Sequence, residues 1–285
     1  MYGVGDTHAE ALKDHDQKLV RLFERCRQVG IRLNAKKLKL RQSSIVFLGH
    51  LVSSEGLKPD PAKVEAVNKL PVPTSVEEVQ RVNGFVNYLA KFLPRLSDVM
   101  EPLRKLTRAD AEWSWGQEQD NAFQDIKNLV ATAPILRYYD PKKELTIQCD
   151  ASERGLGAAL LQEGQPIAYA SRALTDTETR YAQIEKEALA IVYNVEKFNQ
   201  YTYGRKVTIL SDHKPLESIV KKPLCKAPRR LQGMLLRLQR YDVSIRYTQG
   251  KSMYLADTLS RAFPPGTAKH LKLEQVMLTG FVSIS

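Results

Sequence analysis

The feature that most limits the fold of this 285-residue chain is the order in which its hydrophobic period changes along the second half. Residues 145–150, 157–162 and 167–171 read as three β-strands, the last two joined around Gly164. Residues 181–201 then carry apolar side chains at helical spacing, and 207–211 form a β-branched run. Residues 226–240 read as a basic amphipathic helix and 243–247 as a final strand. Three strands, helix, strand, helix, strand is an α/β pattern that predicts a five-stranded mixed sheet.

The first half reads as mostly helical. A helix over 8–29 stops at Gly30, and short β-like runs follow at 31–33 and 44–52. Pro59 and Pro61 open an element at 60–70, and Thr74-Ser75 with Glu77 and Glu78 cap a helix reaching about residue 92. A short helix precedes Thr107, and another covers 117–131. Residues 255–261 look helical, and the tail from Pro264 has no pattern.

Composition removes several classes. Hydrophobic residues make up 43% of the chain, enough to bury a core, so disorder throughout is excluded. No run approaches the ~20 apolar residues that cross a bilayer, and the N-terminus lacks the pattern of a signal peptide. We expect no membrane partner and an intracellular, cytoplasmic setting. Cys26, Cys149 and Cys225 are far apart and odd in number, which excludes a disulfide framework and a Cys-x-x-Cys zinc site. The net charge is +11, with both halves basic. That suits a nucleic acid, although a basic protein without a polyanionic partner accounts for it equally well. Two stretches are one-sided: eight cations from Arg21 to Arg41 against Glu24, and nine from Lys221 to Lys251 against Asp242. Solvated faces usually mix signs, whereas phosphate-tracking surfaces do not.

Four acids of the second half stand out. Asp150 and Asp212 end strands, where ligands of open α/β sheets bind. Glu187 falls within the apolar stripe of the 181–201 helix, an expensive place for an unpaired carboxylate. Asp257 lies in Leu255-Ala256-Asp257-Thr258-Leu259, again among apolar residues. Singly, each acid could be a cap, a turn or a surface charge. Together, in this order, they suit hard cations with oxygen ligands, and two such ions can clamp both oxygens of a phosphodiester displacement.

These residues sit in recognisable motifs. Gln148-Cys149-Asp150-Ala151-Ser152 with Gly155-Leu156-Gly157-Ala158 resembles the first motif of the ribonuclease H domain of gypsy-class LTR retrotransposon polyproteins. Residues 181–191 resemble the second, Leu210-Ser211-Asp212-His213-Lys214-Pro215-Leu216 the third, and Gly250-Lys251 with Ala256-Asp257-Thr258-Leu259-Ser260-Arg261 the last. The resemblance implies a ribonuclease H-like fold and hydrolysis of the RNA strand of an RNA–DNA hybrid. It makes Asp150, Glu187, Asp212 and Asp257 the catalytic and metal-binding acids of two Mg²⁺ ions, or Mn²⁺ in their place. Helical phase favours Glu187 over Glu185, which is read as a solvated partner for basic neighbours. Many ribonucleases H carry a mobile His ten residues before the last Asp; here that position is Tyr247, read equally as a nucleic-acid contact or a packed strand residue. His213 reads as structural, at the start of the following helix.

Residues 1–143 resemble the palm end, thumb and connection of the same family's reverse transcriptase. Phe47-Leu48-Gly49-His50-Leu51-Val52 resembles the primer-grip hairpin and Gly56-Leu57-Lys58-Pro59-Asp60-Pro61 the thumb entry. Gln80, Gly84 and Tyr88 lie four apart on one helical face, a spacing the family uses in a minor-groove track; tight helix packing is the other reason for a helical glycine. The expected division is 1–57 partial palm, 58–143 thumb and connection, 144–262 ribonuclease H domain, and 263–285 linker tail. The 144–262 segment is expected to be self-sufficient and 1–57 to fold poorly alone. Arg229, Arg230, Arg237 and Arg240 are expected to contact phosphates. The implied partners are an RNA–DNA hybrid and, in the parent element, integrase and polymerase palm segments. The paired polymerase aspartates should precede Met1, so DNA synthesis by this chain alone is not expected. The alternative to a nuclease is an inactive or domesticated nucleic-acid-binding remnant.

Overall fold

The computed structural model describes residues 3–220, 223–250 and 253. Asp257 and the tail from residue 263 lie outside the described residues, as does the helix expected at 255–261.

Helix α1 (His8–Gln28) starts where Thr7 and Glu10 reciprocally cap its first turn. Of its residues only Cys26 is buried, while Val20, Leu22 and Phe23 stay exposed. The run at 31–33 does not form the expected strand: Ile31 and Leu33 are exposed, and among the described residues no strand pairs with the backbone there. The 44–52 run is two strands, β1 (Ser44–Phe47) and β2 (His50–Ser53), followed by β3 (Gly56–Pro59) in one antiparallel sheet. Leu48 and Gly49 turn the first hairpin with φ of 47° and 68°, the two-residue geometry that follows strand twist.

Four helices and a loop come next: α2 (Pro61–Asn68), α3 (Val76–Tyr88), α4 (Leu96–Val99) and α5 (Glu101–Lys105), then α6 (Gln117–Ala131) after the loop. A strap after α6 joins the two halves. Leu57 and Leu136 exchange backbone hydrogen bonds of 2.8 and 2.9 Å, and Arg137 N–H donates to the Pro166 carbonyl at 2.7 Å. Gly56 is required there: its φ is 137°, and a Cβ would stand 2.3 Å from the Leu136 carbonyl oxygen.

The second half is the expected α/β unit. It comprises β4 (Leu145–Ala151), β5 (Gly155–Gln162), β6 (Gln165–Ala173), α7 (Asp176–Thr179), α8 (Gln183–Lys197), α9 (Asn199–Thr202), β7 (Lys206–Ser211), α10 (Lys214–Val220), α11 (Arg229–Leu238) and β8 (Asp242–Tyr247). The sheet order is β6-β5-β4-β7-β8, with antiparallel pairing on the β5 side of β4 and parallel pairing on the β7 side. The helix read over 181–201 begins at Gln183 and breaks at Phe198 between α8 and α9.

Period-2 alternation sends the two faces of the sheet into different cores. Ile147, Cys149 and Leu160 pack against α8 and α11. Ala159, Leu161 and Tyr169 face the other way and join Val86, Phe92 and Phe123 in a core built mainly by α3 to α6. Residue 143 therefore does not separate two independent cores.

Candidate active site

Strands β4 and β7 run parallel, so Asp150 near the end of one and Asp212 just beyond the other arrive at the same edge of the sheet. Glu187, in the second turn of α8, reaches the same place because that helix packs across β4. One carboxylate oxygen from each of the three lies within 4.8 Å of the others. Asp212 is exposed, Asp150 half-buried and Glu187 buried, with 3% of its surface accessible. The residue expected to be fourth, Asp257, lies outside the described residues. Gly250 nonetheless returns to the site: a Cβ there would sit 3.5 Å from Asp212 Oδ2.

Burial is the largest influence on both inner acids. It raises the Asp150 carboxyl, partly opposed by the Arg95 guanidinium. It pushes Glu187 from its ordinary 4.5 up to about 8, opposed by a hydrogen bond from Gln183 and reinforced by the charges of Asp150 and Asp212. Gln183 Nε2 donates to Glu187 Oε1 at 2.7 Å and to the Ala151 carbonyl at 3.1 Å, pinning the start of α8 to the end of β4. Glu187 Oε2 is buried without a hydrogen-bond partner. Three converging carboxylates with an unsatisfied buried oxygen fit a hard divalent cation.

Glu187 makes stability depend on pH. Between about 4.5 and about 8 the folded state keeps a proton that the unfolded chain releases, so stability falls as pH rises through that window. Thermal melts in a chelator from about pH 5 to about pH 9 should show this decline, and Glu187→Gln should flatten it. Adding a divalent cation at the alkaline end should raise the wild-type melting temperature and leave that of Glu187→Gln nearly unchanged. Equal pH profiles for the two proteins would contradict the assignment.

The other sequence-predicted residues fall into two groups. Gln80, Gly84 and Tyr88 lie exposed along α3, and a Cβ on Gly84 would meet nothing within 4 Å. Tight helix packing is thus not why that glycine stands there. Tyr88 ties α3 to the hairpin, donating from its hydroxyl to the Leu48 carbonyl at 2.5 Å and stacking on His50. Tyr247 ends β8 opposite Ser211, one residue before Asp212, and is 40% exposed. His213 lies at the start of α10, where its carbonyl accepts from Leu216 N–H at 3.0 Å.

The arginines of α11 divide. Arg230 bonds Glu185 at 2.7 Å and lies over the Tyr181 ring, and Arg237 bonds Glu196 at 2.5 Å. Both are anchored to α8, so two of the four arginines expected to contact phosphates already hold an acidic partner. Glu185 is correspondingly a half-buried ion-pair partner, with 13% of its side chain exposed, rather than a solvated one. Arg229 and Arg240 are exposed and carry no ion pair among the described residues. Sequence reading missed Gln183 and Arg95 at the site. Gln183 was signalled by its position one helical turn before Glu187; for Arg95, distant in sequence, there was no local signal.

Comparison with known proteins agrees with this geometry. Residues 115–209 match the model of the RNase H-like domain found in reverse transcriptase, a match that takes in α6, Asp150 and Glu187. The chain is 36% identical over 257 residues to the retrovirus-related Pol polyprotein from transposon 297 of Drosophila melanogaster, covering 88% of this chain and 24% of the relative. It is 28% identical to the transposon Tf2-3 polyprotein of Schizosaccharomyces pombe over 89% of its length and 20% of the relative's. The chain thus spans a quarter or less of these polyproteins. Among solved structures, the foamy viral protease–reverse transcriptase dRH in complex with double-stranded DNA superposes with a TM-score of 0.74 at 23% identity, covering 84% of this chain and 44% of that one. The foamy viral protease–reverse transcriptase in complex with RNA/DNA hybrid superposes with a TM-score of 0.73 at 22% identity, covering 95% of this chain and 37% of that one. The five-stranded unit is an RNase H-like fold of the kind found in reverse transcriptases, within a chain similar over most of its length to retrotransposon Pol polyproteins.

Proposed function

We propose that this chain is part of a gypsy-class retrotransposon polyprotein and acts as a ribonuclease H, cutting the RNA strand of RNA–DNA hybrids. The observation that carries this reading is the convergence of Asp150, Glu187 and Asp212 within 4.8 Å at one sheet edge. Asp257 is proposed as the fourth ligand. Two Mg²⁺ ions, with Mn²⁺ as a substitute, would supply positive charge to activate the attacking water and stabilise the leaving oxygen.

The protein's own contribution is to hold the acids in place. Rigid β4 and β7 fix Asp150 and Asp212, while Gln183 orients Glu187 through one oxygen and leaves the other unengaged. Burial of Glu187 makes its charged form unfavourable without a counter-charge, so the site is selective for its occupied form. Attack by water on the phosphodiester leaves a 3′-hydroxyl and a 5′-phosphate. The segments before residue 144 are read as the palm end, thumb and connection, with Gln80, Gly84, Tyr88 and Tyr247 as nucleic-acid contacts. The reading sets the protein inside the cell, with integrase and polymerase palm segments as neighbours in the parent element. Among the described residues no helix is long and apolar enough to cross a membrane.

The test compares a labelled hybrid with single-stranded RNA and duplex DNA in Mg²⁺. Only RNA within the hybrid should shorten. Tight binding without cutting would return the chain to a binding remnant.

Phosphate contacts from α11 are tested by salt dependence. Arg229→Ala with Arg240→Ala should lower the slope of log affinity against log salt by about two. Arg230→Ala with Arg237→Ala should lower the slope less and the melting temperature more, because Glu185 and Glu196 lose their partners. An unchanged slope in the first pair would make Arg229 and Arg240 ordinary surface charges.

A further inference from the structure

The loop before α4 belongs to the helical half of the chain, yet it reaches the carboxylate site. Arg95 has φ 49° and ψ 27°, a left-handed conformation that a residue with a side chain rarely adopts. From this position its Nε donates to Asp98 Oδ2 at 3.1 Å, and its Nη1 lies 3.6 Å from Asp150 Oδ2. Asp98 is itself held, since Ser152 Oγ donates to its Oδ1 at 3.0 Å. The Ser97 N–H donates to Ser171 Oγ on β6, also at 3.0 Å. Strand β5 leaves room for this turn. A Cβ at Gly155 would stand 2.1 Å from Asp98 Oδ1. The left-handed residue, the paired side chains and the missing Cβ at Gly155 together deliver one guanidinium to the edge of the site.

Among the described residues no other cation pairs with Asp150, Glu187 or Asp212. Nη2 of Arg95 has no hydrogen-bond partner among them either, and 27% of the side chain is exposed. Three carboxylates repel a polyanion, whereas a guanidinium fork matches a phosphate. We propose that Arg95 is a substrate-binding residue of the nuclease site that grips a backbone phosphate of the hybrid, with Asp98 as the positioning residue that orients it. The proposal rests on the ribonuclease H reading for the identity of its ligand.

Binding is measured with a hybrid whose RNA strand carries 2′-O-methyl groups, so that affinity is read without cleavage. Asparagine tolerates the left-handed conformation, which makes Arg95→Asn the clean variant. It should weaken binding about threefold to tenfold and lower the salt slope by about one. Arg95→Lys should keep the slope but recover only part of the affinity, because the fork is lost. Asp98→Asn separates this proposal from a simple charge effect. Removing an acid near a polyanion site should tighten binding on charge alone, whereas loss of the Arg95 support should weaken it.

Wild-type affinity and slope in a folded Arg95→Asn protein would overturn the proposal. Should that variant not fold, unchanged or tighter binding by Asp98→Asn would overturn it. A wild-type chain that binds through Arg95 but leaves an unmodified hybrid uncut contradicts the nuclease reading alone. One that cuts, and whose Arg95→Asn variant binds and cuts equally well, contradicts the Arg95 proposal alone.

Discussion

Asp150→Asn is expected to reduce hybrid cleavage by at least about a hundredfold, equivalent to roughly 2.7 kcal/mol of barrier, while hybrid binding stays equal or tightens. The substitution preserves shape and removes one negative charge from a position facing phosphate. It also removes a ligand oxygen that no neighbour replaces, because Glu187 and Asp212 come from other elements with their own geometry. Burial already raises the Asp150 carboxyl, so the neutral amide costs the fold little. A melting temperature near that of wild type will show that the loss is chemical. Full activity in the variant would mean that Asp150 does not hold the cation.

The second large effect concerns where the chain can be cut. Residues 144–262 carry all five strands of the sheet and were expected to stand alone. The packing on the second face of the sheet supports the opposite outcome. Leu161, Tyr169 and Ala159 lie on the sheet face covered by α3 to α6, and a cut at 143 removes the cover. Exposing a buried Leu-sized or larger side chain costs roughly 1.5–3 kcal/mol, so the cut should cost about 4 kcal/mol or more. Total domain stability is only about 5–15 kcal/mol. A 144–262 fragment should therefore melt on the order of 15 °C below a 58–262 fragment, or aggregate through the uncovered patch. Scanning calorimetry and gel filtration of the two fragments decide it. Melting within a few degrees of each other, both monomeric, would show that the helices contribute little to the sheet. The shorter fragment also lacks Arg95 and Asp98, so its hybrid affinity should fall even under conditions that keep it folded.

Much of the fold was legible because local period reports local structure. The alternation in 145–150 and the helical stripe around Glu187 carry their own burial, and the strand-end positions of Asp150 and Asp212 follow from strand boundaries alone. What stayed hidden depends on contacts distant in sequence. The pattern of 31–33 suits a strand, but a strand needs a neighbour, and among the described residues none lies beside it. Arg230 and Arg237 looked like Arg229 and Arg240 until α8 brought Glu185 and Glu196 against α11. Arg95 is separated from Asp150 by 55 positions, and the turn that carries it fits against β5 at Gly155, a purpose that appears only in three dimensions. The strap joining Leu57 to Leu136 is of the same kind.

The most direct measurement of the central claim is the chemistry of the cut ends. The wild-type chain is incubated with a hybrid labelled in its RNA strand, in Mg²⁺ and in excess chelator, and the RNA products are analysed for their termini. The account predicts Mg²⁺-dependent shortening of the RNA alone, with 3′-hydroxyl and 5′-phosphate ends, and no cutting by Glu187→Gln. An intact RNA strand bound tightly by the protein, or products ending in 2′,3′-cyclic phosphate regardless of chelator, would contradict it.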